Sequence, residues 1–203
     1  NEMPPLPSNI NHITLDNMRE EHLVEQLAAI ADTYGPVGAL VHVHPVWEHK
    51  PADEGGQTAW KQQQLSPSLA PSASEAILSH VFLVAKHLKT SLTAAAREGR
   101  RCFMTVTRLD GALGLSQEPG AFKATSGLAA GGLPGLIKTL DLEWGDVFCR
   151  AVDLMPNLDE TQAAQAVLAE LHDPNRLVLE VGYGPTGRVT LEAAEKDNGG
   201  KPG

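Results

Sequence analysis

The sequence predicts an α/β fold in which helices cover a mainly parallel β-sheet that ends in a β-hairpin. Three observations carry this. Helical and strand-like periods alternate along the chain, the pattern of βαβ units. RCFMTVT (101–107) and DVFCRAVDL (146–154) are almost continuously apolar, as strands covered on both faces must be. The last two strand candidates, LVLEV (177–181) and RVTLE (188–192), flank a short Gly/Pro turn.

Each element has its own signals. A first helix is expected after Asp16 or Asn17 as N-cap, with Leu23, Leu27, Ile30 and Tyr34 at helical spacing and Gly35-Pro36 as its stop. VGALVHV (37–43) reads as a strand. Residues 45–74, which include Trp47 and Trp60, are polar and irregular and read as a long surface excursion. Ser72 and Glu75 have capping-box spacing ahead of a helix whose stripe is Ile77, Val81, Val84, Leu88, Leu92 and Ala95, ended by Gly99. After strand 101–107, a glycine-rich turn leads into a helix within 122–144 that buries Leu133, Ile137, Leu140 and Trp144. Asp159 should cap a helix running to about His172, with Gln162 at N3 and Pro174 just beyond the end. The expected organisation is an N-terminal extension (1–11), one folded unit (12–192) and a frayed tail or linker (193–203).

Composition narrows the partners. The chain has 203 residues, with 25 acidic against 16 basic side chains and a formal charge of −9, which argues against nucleic acid or an anionic membrane as a primary partner. Apolar runs fall short of the roughly 20 residues of a membrane helix, and NEMPPLPSNIN lacks a signal pattern, so a soluble, cytoplasmic chain is expected. Cys102 and Cys149 lie inside apolar strands and read as buried thiols rather than a disulfide.

Several stretches invite chemistry. Gly182, Gly184 and Gly187 have the G-x-G-x-x-G spacing of a dinucleotide loop, directly after a strand. That loop also needs a following helix and a second parallel strand, whereas Gly187 is followed by only sixteen residues, the first five of them the strand-like RVTLE. A hairpin turn around Pro185 is therefore the expectation. His42, His44 and His49 form H-x-H-x4-H, with Glu48 and Asp53 nearby, and two imidazoles at i and i+2 of a strand could share a metal or small ligand. Strand-end histidines meeting solvent or a partner are the plainer alternative. Arg108 and Asp110 follow a strand end, where α/β proteins place ligand-binding residues, although a turn held by a local ion pair is the simpler reading. No G-x-S-x-G elbow or exposed electropositive cysteine is present.

The stretches FLVAKHLKTSLTAAAREGRRCFMTVTRLDGALGL (82–115), GGLPGLIKTLDLEWGDVFCRAVDL (131–154) and LAELHDPNRLVLEVGYGPTGRVTLE (168–192) resemble the ketoreductase region of modular polyketide synthases. The version in the large multifunctional subunit of bacterial polyunsaturated fatty acid synthases is the most similar in this reading. The resemblance runs over roughly residues 12–192. It implies a truncated, Rossmann-like, short-chain-dehydrogenase-like three-layer sandwich, and specifically the structural half of a ketoreductase whose other half binds NADPH and reduces β-ketoacyl groups on an acyl carrier protein.

What such a half should lack can be checked. In the family a tyrosine donates the proton to the carbonyl oxygen as hydride arrives from the cofactor. This chain has only Tyr34 and Tyr183, neither followed by lysine three residues on, and the helix within 122–144 has no tyrosine. Thr107 occupies about the place of the family's serine, but a hydroxyl alone cannot protonate a ketone. No first strand with its glycine loop precedes Ile13, which suits a truncated unit. The expectation is thus a chain with no catalytic, cofactor or metal residues of its own, which packs on the NADPH-binding catalytic subdomain of the same polypeptide and self-associates when separated from it. The alternatives are a stand-alone short-chain reductase with an unusual active site, and a metal or small-ligand domain using His42 and His44.

Overall fold

The computed structural model describes residues 10–15, 17–45, 73–95, 99, 101–116 and 124–192. The elements are α1 (Glu20–Tyr34), β1 (Ala39–Val43), α2 (Ala73–Ala94), β2 (Cys102–Thr107), α3 (Ala124–Glu143), β3 (Phe148–Leu154), α4 (Glu160–His172), β4 (Glu180–Gly184) and β5 (Gly187–Thr190). Five strands form one sheet in the order β1-β2-β3-β4-β5. The first four are parallel and β5 returns antiparallel on β4, so the expected sheet and its closing hairpin are both present.

Two cores sandwich the sheet. On one face Ile77, Val81, Leu88 and Leu92 of α2 and Leu133, Ile137 and Leu140 of α3 pack on Phe103, Cys149 and Ala151, with Leu27 of α1 at the margin. On the other face Ala163 and Ala166 of α4 pack on Met104, Val106, Val152 and Leu154. β2 and β3 are buried at every position, which explains their largely apolar sequences. The period-2 alternation of a strand puts Cys102 and Cys149, both buried, into opposite cores. Because the strands advance in one direction while α4 lies across the sheet from α2 and α3, the crossover through α4 has the opposite hand to the two before it. One kind of connection therefore departs from the right-handed rule.

Local signals hold unevenly. Asp159 accepts the Gln162 amide at 2.9 Å as its N-cap role requires, and Gly35 (φ 85°) donates to the Ala31 carbonyl at the end of α1. The start of α1 differs from expectation: Arg19 is the N-cap with no side-chain cap, and Asn17 Oδ1 instead accepts the Arg19 amide at 3.0 Å. Asp16, Ser72, the segment 46–72 with Trp47, Glu48, His49, Asp53 and Trp60, and the tail lie outside the described residues. α3 forms across GGLPG (131–135) with Pro134 inside it, against local propensity, because packing wins. A Cβ on Gly132 would press on the Leu78 side chain at 2.9 Å, so glycine lets α2 and α3 approach closely. No helix among the described residues is long and apolar enough to cross a membrane.

Candidate functional site: the C-terminal rim of the sheet

Open parallel sheets bind ligands beyond the carboxyl ends of their strands. In this protein the rim holds Thr107 and the loop 108–116, the end of β3 at Asp153, and the hairpin. Asp153 is 0% exposed. Its carboxylate accepts the amides of Leu109 (2.7 Å), Gly111 (2.8 Å), Leu113 (3.0 Å) and Asp110 (3.3 Å), and the Thr107 hydroxyl at 2.9 Å. Asp110 in turn accepts the amides of Ala112 (2.8 Å), Gly114 (2.8 Å) and Ser116 (2.9 Å). Seven successive or near-successive amides thus converge on two carboxyl groups. Positive φ at Gly111 (72°), Leu113 (61°) and Gly114 (79°) turns the amides inward, making an anion-binding nest already filled by the chain's own side chains.

The two carboxyl groups lie against each other and titrate as a pair. Burial pushes the Asp153 carboxyl above its ordinary range, despite the Leu109 amide and Thr107 hydroxyl that favour its anion, and the Asp110 carboxyl adds to the rise. At Asp110 burial acts in the same upward direction, but the amides of Gly114, Ser116 and Ala112 outweigh it and hold the group below the usual range. Thr107 is committed to Asp153 and is not free to polarise a substrate carbonyl. Arg108 and Asp110 do not pair with each other as the sequence suggested: Arg108 donates to the carbonyls of Leu158 (3.0 Å) and Pro156 (3.2 Å), tying the loop to the β3–α4 connection.

The three glycines of EVGYGPTG do three different things. Gly182 lies in β4, and a Cβ there would overlap the Gly111 carbonyl; reciprocally, a Cβ on Gly111 would overlap the Tyr183 carbonyl. Gly184 pairs with Gly187 across the hairpin, and of the three only Gly187 has positive φ (96°). The turn expected from the spacing is present, but its first glycine serves backbone approach rather than turning.

A second charged cluster holds the hairpin. Arg150 of β3 is 0% exposed and donates to Glu170 of α4, to Asp173 (3.2 Å) and to the Asn175 carbonyl (2.6 Å). Glu170 also accepts the Tyr183 hydroxyl and Arg188 Nε, both at 2.6 Å, and Arg188 reaches Asp173 at 2.9 Å. Burial and the bond to Glu170 push the Tyr183 phenol up to about 12, so it is not poised to donate a proton to a substrate near neutrality. Tyr34 is exposed at the end of α1.

His42 and His44 stand side by side at the end of β1, rings 6.0 Å apart and edge to face. Among the described residues no group of three or more His, Cys, Asp or Glu is placed to hold a metal ion. Of the plainer expectation, strand-end histidines that meet solvent or a partner, the solvent part does not hold at His44, which is 6% exposed.

Sequence reasoning passed over Asp153, Arg150 and Glu170. The signal was available: charged residues at 150 and 153 inside a strand buried on both faces, and Glu170 in the helical stripe of Ala163 and Ala166, must each be paired.

No family model matches the chain. It is 38% identical over 126 residues, 61% of its length, to a polyunsaturated fatty acid synthase polypeptide of Thraustochytrium sp., and spans 4% of that relative. Among solved structures, a metagenomic short-chain oxidoreductase in complex with NADP matches 87% of this chain and 72% of its own, at 18% identity and a TM-score of 0.54. A short-chain dehydrogenase/reductase from Burkholderia xenovorans matches 78% of this chain and 53% of its own, at 15% identity and a TM-score of 0.47. The chain is a relative of a segment of the synthase, and its fold is the Rossmann-like fold of short-chain dehydrogenases.

Proposed function

We propose that this relative of a synthase segment is the structural subdomain of a ketoreductase, a unit that performs no reduction and packs on a neighbouring NADPH-binding subdomain of the same polypeptide. In the parent, that neighbour reduces β-ketoacyl groups carried on an acyl carrier protein. The observation that supports this most is the filled rim. The place where the fold would admit cofactor and substrate is taken by loop 107–116, drawn down on Asp153, with Thr107 spent on the same carboxylate. The absence of any tyrosine from the sequence of α3 agrees with it. The similarity to a segment of a fatty acid synthase supplies the synthase context.

The test is a calorimetric titration of the 203-residue chain with NADPH, followed by incubation with NADPH and a β-ketoacyl thioester while absorbance at the nicotinamide band is followed. No binding at micromolar chain and no oxidation are expected. Micromolar affinity accompanied by turnover would overturn the proposal.

A further inference from the structure

We infer that His42, His44 and His80 form an acid-sensitive joint between the edge strand β1 and helix α2, which holds while the three imidazoles are neutral and loosens when they take up protons. Hydrogen bonding around these rings is out of balance. Among the described residues, seven buried side-chain atoms have no hydrogen-bond partner, and five belong to one neighbourhood: His42 Nε2, both ring nitrogens of His44, His80 Nδ1 and Thr105 Oγ1. Buried polar groups are almost always paired, so a concentration of unpaired ones singles this place out.

Geometry puts them together. His42 and His44 point to the same face as Leu40, the face covered by α1 and α2, and His42 stands opposite Thr105 in the β1–β2 register. The His42 and His44 rings are 6.0 Å apart. His80 comes down from α2, near enough for its charge to bear on His42. On its other side His80 meets the Met18 backbone just before α1.

Among the described residues the surrounding charges offer these rings no counter-ion. From α1 the nearest histidine is His22, whose Nε2 is also unpartnered, while Glu20 is already bound by Lys86 (2.7 Å) and His87 (2.7 Å) of α2. Glu21 and Glu25 of α1 and Lys89 of α2 are exposed. β2 presents Thr105, which is not titratable. None of His42, His44 and His80 forms an ion pair with a carboxylate among the described residues. Burial lowers the readiness of all three to protonate, and at His42 the neighbouring His44 and His80 lower it further, to about 4. The rings therefore stay neutral in the folded chain where the unfolded chain, with ordinary imidazoles, is protonated. Stability from the cluster is present above pH ~6.5 and is lost as pH falls from there toward 4.

The experiment is urea unfolding of the whole chain at several pH values from neutral to mildly acidic, for the unchanged protein, H42Q, and H12Q as an exposed control. After discounting for solvent at the half-buried ring, the unfolding constant of the unchanged protein and of H12Q should rise about tenfold from pH ~7 to pH ~5 through His42 alone. H42Q should lose most of that increment. Should H42Q fail to fold, NMR titration of the imidazole Cε1 protons in the unchanged protein decides: His42, His44 and His80 should not titrate until the fold opens. Equal pH dependence in H42Q and the unchanged protein, or titration of the three rings near the ordinary imidazole value of about 6.5 in the folded state, would overturn the inference.

Discussion

The Gly111 carbonyl rests against the bare Cα of Gly182, leaving no room for a side chain on Gly182, while a side chain on Gly111 would meet the Tyr183 carbonyl. This contact docks the loop after β2 onto the first strand of the hairpin. It also accounts for a glycine that the spacing of the sequence assigns to a cofactor loop or a turn.

Gly182→Ala and Gly111→Ala should each destabilise by about 2 kcal/mol or more, since the new methyl meets backbone rather than a yielding side chain and Gly111 also has φ 72°. Gly135→Ala is the contrasting case. Gly135 is exposed in α3 with open space around it, so the substitution should stabilise by about 0.5–1 kcal/mol through helix propensity. Urea midpoints of the three variants check both signs.

Asp153→Ala should cost about 3 kcal/mol or more, because it leaves several buried amides and the Thr107 hydroxyl without their acceptor. Hydrogen exchange should locate the damage: amides of 109–113 lose protection first. Unchanged protection there would show that the loop is held by something other than this carboxylate.

Glu170→Ala removes the acceptor shared by Arg150, Arg188 and Tyr183 and should cost about 3–5 kcal/mol, since a wholly buried guanidinium is left short of its anion. Tyr183→Phe removes one hydrogen bond to that carboxylate and should cost about 1–2 kcal/mol. The size ordering is read from denaturation midpoints of the two variants.

The cysteines should be inert in the folded chain. Burial pushes the Cys149 thiol up to about 12, and Cys102 is as deeply covered in the opposite core. A disulfide exchange reagent should label neither until denaturant is added, and mild oxidation should yield no Cys102–Cys149 bridge, because the two side chains leave the sheet on opposite faces. Rapid labelling of either thiol in the native protein contradicts this.

The sequence by itself determined the α/β class, the parallel sheet and the closing hairpin, because apolar periodicity and Gly/Pro punctuation record burial and chain reversal locally. It also carried the Asp159 cap, whose acceptor and donor lie three residues apart. It did not determine the rim. Asp153 meets amides 40 to 44 residues away, Glu170 of α4 is joined to Arg150, Tyr183 and Arg188 on three strands, and His80 reaches His42 from a different element. Such pairings depend on which strands become neighbours and which face each residue takes, and only the tertiary structure settles those. Charged residues inside apolar runs announced that partners must exist; the fold decided which ones, and in doing so drew the loop after β2 down onto Asp153.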